Sequence, residues 1–304
     1  MLTPSKITAW LDCAHYLTLR SQVNDGTRAA PASTFSAFAA LLVRKGGEHE
    51  RQCLEECRRH DKAILTVAGR RDGEPFTAWV ARVGNPFDDG WDVIYQMPFV
   101  HDGVRGIADF LERVVDAQGR VPYEPVDAKL ARSEAKPGHV LQLCFYADAI
   151  EAVTGVRSAK MYLWLGSGKR EPLRVNDFSP YWRRLRGQLA TTLAAGPAAD
   201  TVPQPCSHCD FCEFRLVCDE QWRAEGALSL TAGIRRPETA VLGAAGVQNL
   251  TELAARQAPV DGMRPQRLDR LAAQAGLQVQ ASTLPWSMAW LRRKSVSRSH
   301  ALSP

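Results

Sequence analysis

In the stretch YEPVDAK, residues 123–129, an acid and an ammonium stand two positions apart. In an extended strand that spacing sets Asp127 and Lys129 on one face. A carboxylate can hold a hard divalent cation such as magnesium, and a neighbouring lysine can stabilise charge developing on a phosphoryl oxygen or orient the attacking water. Asp109, in the preceding segment GIADFLERV, is a candidate second oxygen ligand if the two segments pair as a hairpin and the register sets the acids opposite one another. His49 is a candidate nitrogen ligand from a helix. Gln142 and Tyr146, one helical turn apart, would present an amide and a phenol on one face.

A second group of residues suits softer chemistry. Cys206, Cys209, Cys212 and Cys218 fall within thirteen positions. Thiols at such spacings converge on zinc or on an iron-sulfur cluster. Two ligand sets satisfy the spacing. One is local and uses all four thiols for zinc; the other takes Cys209, Cys212 and Cys218 and recruits the distant Cys13, clipping the N-terminal helix to residues nearly two hundred positions away. Cys53, Cys57 and Cys144 occur singly on helical faces and read as small apolar core residues, although Cys53 and Cys57 share a face with His49.

The elements that must position these groups follow from pattern. A helix is predicted over 5–20, then a turn-rich linker, then a helix from about Phe35 to His60 with a break or kink at Gly46-Gly47. AILTVAG, TAWVARV and DVIYQM read as a strand meander, and 106–114 with 123–129 as a hairpin about the glycine of DAQGRVP. A helix over 138–153, strands in SAKMYLWLG and PLRVND, and a helix in PYWRRLRGQLATTLAAG ending at Gly196 complete the core. This order predicts an α/β fold, with a mixed sheet flanked by helices. The division expected is a domain over 1–220, a small helical module over 221–280 and a patternless basic tail over 281–304.

Composition bounds the function. The chain has 304 residues, 38 Lys+Arg against 33 Asp+Glu, a net charge of +5, and 45% hydrophobic residues. It can bury an ordinary core, which excludes disordered and fibrous classes. No apolar run approaches the roughly 18 residues of a membrane span, and the N-terminal stretch lacks a signal-peptide core, so a cytoplasmic protein without a membrane partner is expected. In that reducing compartment the eight cysteines are expected not to form disulfides. Lys169, Arg170, Arg174, Arg183, Arg184 and Arg186 make a basic stretch that would attract a polyanion, though the last three cannot share one helix face. Tyr181 and Trp182 could stack on bases, with core packing the favoured reading.

Taken in order, Gly46-Gly47-Glu48-His49-Glu50, Gly106-Ile107-Ala108-Asp109, Asp127-Ala128-Lys129 and Gln142 through Tyr146, bracketed by Cys13 and by Cys209, Cys212 and Cys218, resemble the PD-(D/E)XK nuclease superfamily in its RecB-like branch that carries an iron-sulfur cluster. The segments YEPVDAKLAR and VLQLCFYADAI are especially similar to that branch, and the resemblance covers roughly residues 1 to 280. Ala108 stands where the superfamily's name puts proline, a position that varies in RecB-like members. The resemblance implies a restriction-endonuclease-like fold and hydrolysis of DNA, single-stranded or with free ends. It implies a magnesium or manganese ion held by His49, Asp109 and Asp127, with Lys129 as the catalytic lysine and Gln142 and Tyr146 at the strand or supporting the site. It also implies a structural [4Fe-4S] cluster on Cys13, Cys209, Cys212 and Cys218, with Cys206 a bystander, and a role in DNA repair, recombination or processing. Relatives of this branch often continue into a ribonuclease H-like domain, so a separate exonuclease or helicase partner is an accompanying expectation. The helical module resembles helix-hairpin-helix repeats, with LGAAGV as the hairpin. The competing expectation is a non-catalytic nucleic-acid binding protein whose thiols hold zinc.

Overall fold

The computed structural model describes residues 1–31, 37–116, 118–131, 136–196 and 201–282. Two compact units are present, Met1–Thr201 and Val202–Pro304. The first opens with helices α1 (Pro4–Asp12) and α2 (His15–Asn24), where one helix was expected; the chain turns extended at Cys13. Helix α3 (Ala37–Arg59) follows and runs through Gly46-Gly47 without the predicted break. Each interior glycine costs roughly 1 kcal/mol relative to alanine. That cost is offset by the face α3 buries, where Cys53, Leu54 and Cys57 pack with Phe110, Val126 and Trp164 of the sheet.

The sheet has six strands in chain order: β1 (Ile64–Thr66), β2 (Val93–His101), β3 (Val104–Arg113), β4 (Tyr123–Lys129), β5 (Lys160–Leu165) and β6 (Arg170–Arg174). The pairs β1–β2 and β4–β5 are parallel and the others antiparallel, which makes this the mixed sheet that the sequence pattern implied. TAWVARV, expected as a strand, is helix α4 (Phe76–Val83). Its apolar positions 76, 79, 80 and 83 lie three and four apart, a helical period that a short β-like composition masked. Trp79 anchors α4 by donating its indole N–H to the Ala68 carbonyl at 2.9 Å.

Helix α5 (Pro137–Thr154) supplies the crossover between the parallel strands β4 and β5, starts on a proline and stops where Gly155 adopts φ +70°. It packs against β2, β4, β5 and α1 and buries Leu143, Phe145, Tyr146 and Ile150 almost completely. Helix α6 (Val175–Ala195) begins five residues before the expected Pro180, which sits in its second turn, and ends at Gly196 as predicted. Trp182 is buried in the core, whereas Tyr181 is exposed.

The second unit carries the cysteine-rich turn, helix α7 (Arg215–Glu225), and helices α8 (Arg236–Ala244), α9 (Leu250–Ala255) and α10 (Pro265–Ser282). Leu228, Leu242, Val247, Leu253, Leu268 and Leu271 form its own apolar core. The LGAAGV segment closes as a hairpin, with the Val247 amide donating to the Leu242 carbonyl at 3.0 Å and Gly246 at φ +80°. The expected basic tail lies outside the described residues from position 283 onward.

Candidate active site

The strand pair β3–β4 creates the site. Its ladder aligns Phe110 with Val126, so the next step sets Asp109 opposite Asp127. The two carboxyl groups lie within hydrogen-bonding reach of each other. Asp127 is fully buried. Lys129, two residues along on the same face, places its ammonium 2.7 Å from Asp127 Oδ2. The Asp109 carboxylate is further held by the Ala128 amide, which donates to Oδ2 at 2.9 Å. Helix α5 contributes Gln142, whose side-chain amide donates to Asp127 Oδ1 at 3.2 Å and to the Tyr146 hydroxyl at 3.3 Å. The Tyr146 hydroxyl in turn donates to the Ile107 carbonyl on β3. Five of the residues singled out from the sequence, Asp109, Asp127, Lys129, Gln142 and Tyr146, therefore meet in one place.

His49 is placed differently. Its Nε2 donates to the Trp164 carbonyl at 3.0 Å and lies 3.7 Å from the Cys53 thiol. The residue of α3 that faces the acids is its neighbour Glu50. Burial raises the Glu50 pKa and the Asp109 charge adds to the shift, while hydrogen bonds from Tyr95 and Gln96 oppose it. Gln96 lies on β2 opposite Asp109 and has φ +62°, a left-handed backbone that is unusual for a side chain other than glycine. Such strain costs about 1–3 kcal/mol and concentrates at functional sites. Here it lets the consecutive residues Tyr95 and Gln96 both reach one carboxylate.

Electrostatics single out the same cluster. Burial and then the Asp127 charge push the Asp109 carboxyl up to about 7. Asp127 is also raised, with burial the main cause and Lys129 the main opposing influence. Burial works to lower the Lys129 pKa, but the carboxylates of Asp127 and Asp109 outweigh it and hold the lysine charged. Two contacting acids in a dry site repel one another when both ionise, which a cation relieves. Asp127 Oδ2 has the ion pair to Lys129 but no hydrogen bond of good geometry. Among the described residues no three His, Cys, Asp or Glu side chains converge closely enough to enclose an ion. The donor set nonetheless fits magnesium or manganese, which is commonly held by one or two carboxylates, with water and substrate phosphate completing the shell.

In the second unit, Cys206 opens a 3-10 turn (Ser207–Phe211) that contains Cys209, their sulfurs 3.8 Å apart, Cys212 closes that turn, and Cys218 lies buried on α7. No disulfide links any of the eight cysteines. Cys13 caps the C-terminus of α1 in the first unit. In the basic stretch, Arg170 pairs with Glu112 at 2.8 Å and Arg186 with Asp148 at 2.6 Å, so part of that charge is consumed internally.

Two comparisons bear on the chain. A family model described as the PD-(D/E)XK nuclease superfamily matches residues 12–219, well over half of the 304. A search of curated proteins finds no match.

Proposed function

Because the chain belongs to the PD-(D/E)XK nuclease superfamily, we propose that it is a metal-dependent deoxyribonuclease of the RecB-like type, acting on DNA that is single-stranded or has free ends. The observation that carries this reading is the meeting, at one strand pair, of the buried Asp127, its ion-paired Lys129 and the half-buried Asp109. A structural lysine-aspartate pair would not require a second carboxylate beside it.

Asp109 and Asp127 would hold the cation, and Glu50 is the third carboxylate at hand; His49 would join only by giving up the Trp164 carbonyl. A magnesium or manganese ion, when bound, neutralises charge on the phosphoryl oxygens and acidifies an attacking water. Lys129 supplies a fixed positive charge for the developing phosphoryl charge, already charged before substrate arrives. Gln142 fixes the rotamer of Asp127, and Tyr146 anchors Gln142 to β3. The two N–H donors of Gln142 and the single O–H of Tyr146 are all engaged in these contacts, so either residue would meet a substrate phosphate only by exchanging one of them.

The resemblance to the RecB-like branch further leads us to propose a structural [4Fe-4S] cluster on Cys13, Cys209, Cys212 and Cys218, and service in DNA repair, recombination or processing. The matched span opens one residue before Cys13 and closes one residue after Cys218. The 3.8 Å approach of Cys206 to Cys209 favours a second reading of that region, a local four-thiol zinc site. Colour separates the two, because an iron-sulfur protein is brown and a zinc protein colourless.

The test of the nuclease reading is incubation of the purified protein with end-labelled single- and double-stranded DNA in magnesium, manganese or chelator. Cleavage with either metal, lost in chelator and in Asp127→Asn, is expected. Metal-independent cleavage, or full activity in Asp127→Asn with its fold retained, would overturn it.

A further inference from the structure

A groove of about 520 Å³ opens beside the acids, and nothing in the superfamily pattern read above accounts for its far wall. Its inner end is Gln142 and Tyr146, the same side chains that support Asp127. Arg105, Gly106 and Ile107 of β3, Arg70, Phe76 and Trp79, and Ser5 in the first turn of α1 also line it. Gly106 forms part of the floor; a Cβ there would come within 3.0 Å of the Phe145 and Tyr146 rings, so only glycine leaves this passage with Tyr146 in place.

The chemistry of the wall is specific. Arg82, Arg170 and Arg186 are each paired with a carboxylate. Arg70 and Arg105 have no carboxylate partner among the described residues, and both line the groove. The Arg105 guanidinium lies over the Phe76 ring at 5.2 Å, and Phe76 is itself braced edge-on by Trp79 at 5.3 Å. Two free guanidiniums are suited to a phosphate diester, which accepts paired N–H donors. A flat cation stacked on an aromatic ring is a platform for an unpaired base.

From this juxtaposition we infer that the groove is a subsite for the single-stranded nucleic acid adjoining the bond to be cut, with Arg70 and Arg105 on its phosphates and Arg105 over Phe76 as the stacking platform. The inference rests on the nuclease reading for the position of that bond, but not for binding itself. It assigns the substrate's unpaired portion to the groove lined by β3, α4 and the start of α1, rather than to the basic stretch of β6 and α6.

Binding of a dye-labelled single-stranded oligonucleotide, measured by fluorescence anisotropy in chelator over a range of salt, separates the possibilities without cleavage. The double variant Arg70→Gln/Arg105→Gln should bind about tenfold or more weakly, as expected for lost charge-assisted hydrogen bonds. Its salt dependence should be shallower by about 0.7 in log–log slope for each phosphate released. Phe76→Leu should lose affinity with an unchanged salt slope, and Arg184→Gln, an exposed arginine on α6, should bind like the parent chain. Melting curves confirm that each variant is folded. Parent-like affinity in the folded double variant, an equal loss in Arg184→Gln, or no binding by the parent chain would each overturn the subsite. Groove-dependent binding in a protein that cleaves nothing with either metal would instead overturn the nuclease reading and leave the subsite standing.

Discussion

Asp109 and Asp127, the proposed metal ligands, differ from ordinary surface acids in that burial raises the pKa of both. For Asp109 the sign of the resulting pH dependence is unusual. Its carboxyl titrates near 7 in the folded chain against an ordinary value of 3.8, so the native state binds more protons than the unfolded chain between those limits. Its contribution therefore favours folding most at about pH 4 and below and is lost as pH rises through 7. In chelator, Asp109→Asn should melt at a higher temperature than the parent chain at about pH 8, and the gap should narrow towards about pH 4. A gap of the same size at both ends would mean that Asp109 is not a strained carboxylate. Much of this residue-level picture was legible beforehand. A two-residue period puts Asp127 and Lys129 on one face, and a hairpin register can bring Asp109 to meet them. Glu50 was not legible as the facing residue. His49 and Glu50 are neighbours on a helix, roughly 100° apart, and only the docking of α3 decides which one turns inward.

At the scale of elements, the site depends on the close approach of α5 to β3 at Gly106. Tyr146 must reach the Ile107 carbonyl past position 106, and a methyl group there would meet Phe145 at 2.9 Å and Tyr146 at 3.0 Å. Gly106→Ala should therefore cost about 1–3 kcal/mol in chemical denaturation, as overpacking does, and reduce cleavage together with stability. An unchanged denaturation midpoint would show that α5 yields freely and does not hold Gln142 in place. The strands β2 to β5 and helix α5 could be read from pattern, because each has either clear alternation or a clear start and stop signal, whereas the end of PLRVND, expected as strand, is the first turn of α6. The segment 76–83 could not, since eight residues rich in Val, Ala and Trp satisfy a short strand as well as a short helix, and the choice falls to Trp79 finding the Ala68 carbonyl. The groove was invisible for a related reason: Arg70 and Arg105 are thirty-five positions apart, and no local pattern links a loop to a strand.

For the whole molecule, the first unit carries the acids and the second has its own apolar core and most of the clustered thiols. We propose that the cluster is structural and separable from the acid site, since none of its four thiols is among the described hydrogen-bond or ion-pair partners of Asp109 and Asp127. Anaerobically purified protein should be brown, and Cys218→Ser should lose the colour and melt earlier, because ligation is part of folding free energy. A colourless protein containing zinc would favour the local thiol set, and an unchanged melting temperature would deny any structural role. The separability leads to the most direct measurement, a manganese titration followed by electron paramagnetic resonance. The parent chain and folded Cys218→Ser should both bind manganese, and Asp127→Asn and Asp109→Asn should not. Equal manganese uptake by the parent chain and the two aspartate variants would contradict the claim that these two acids share one ion.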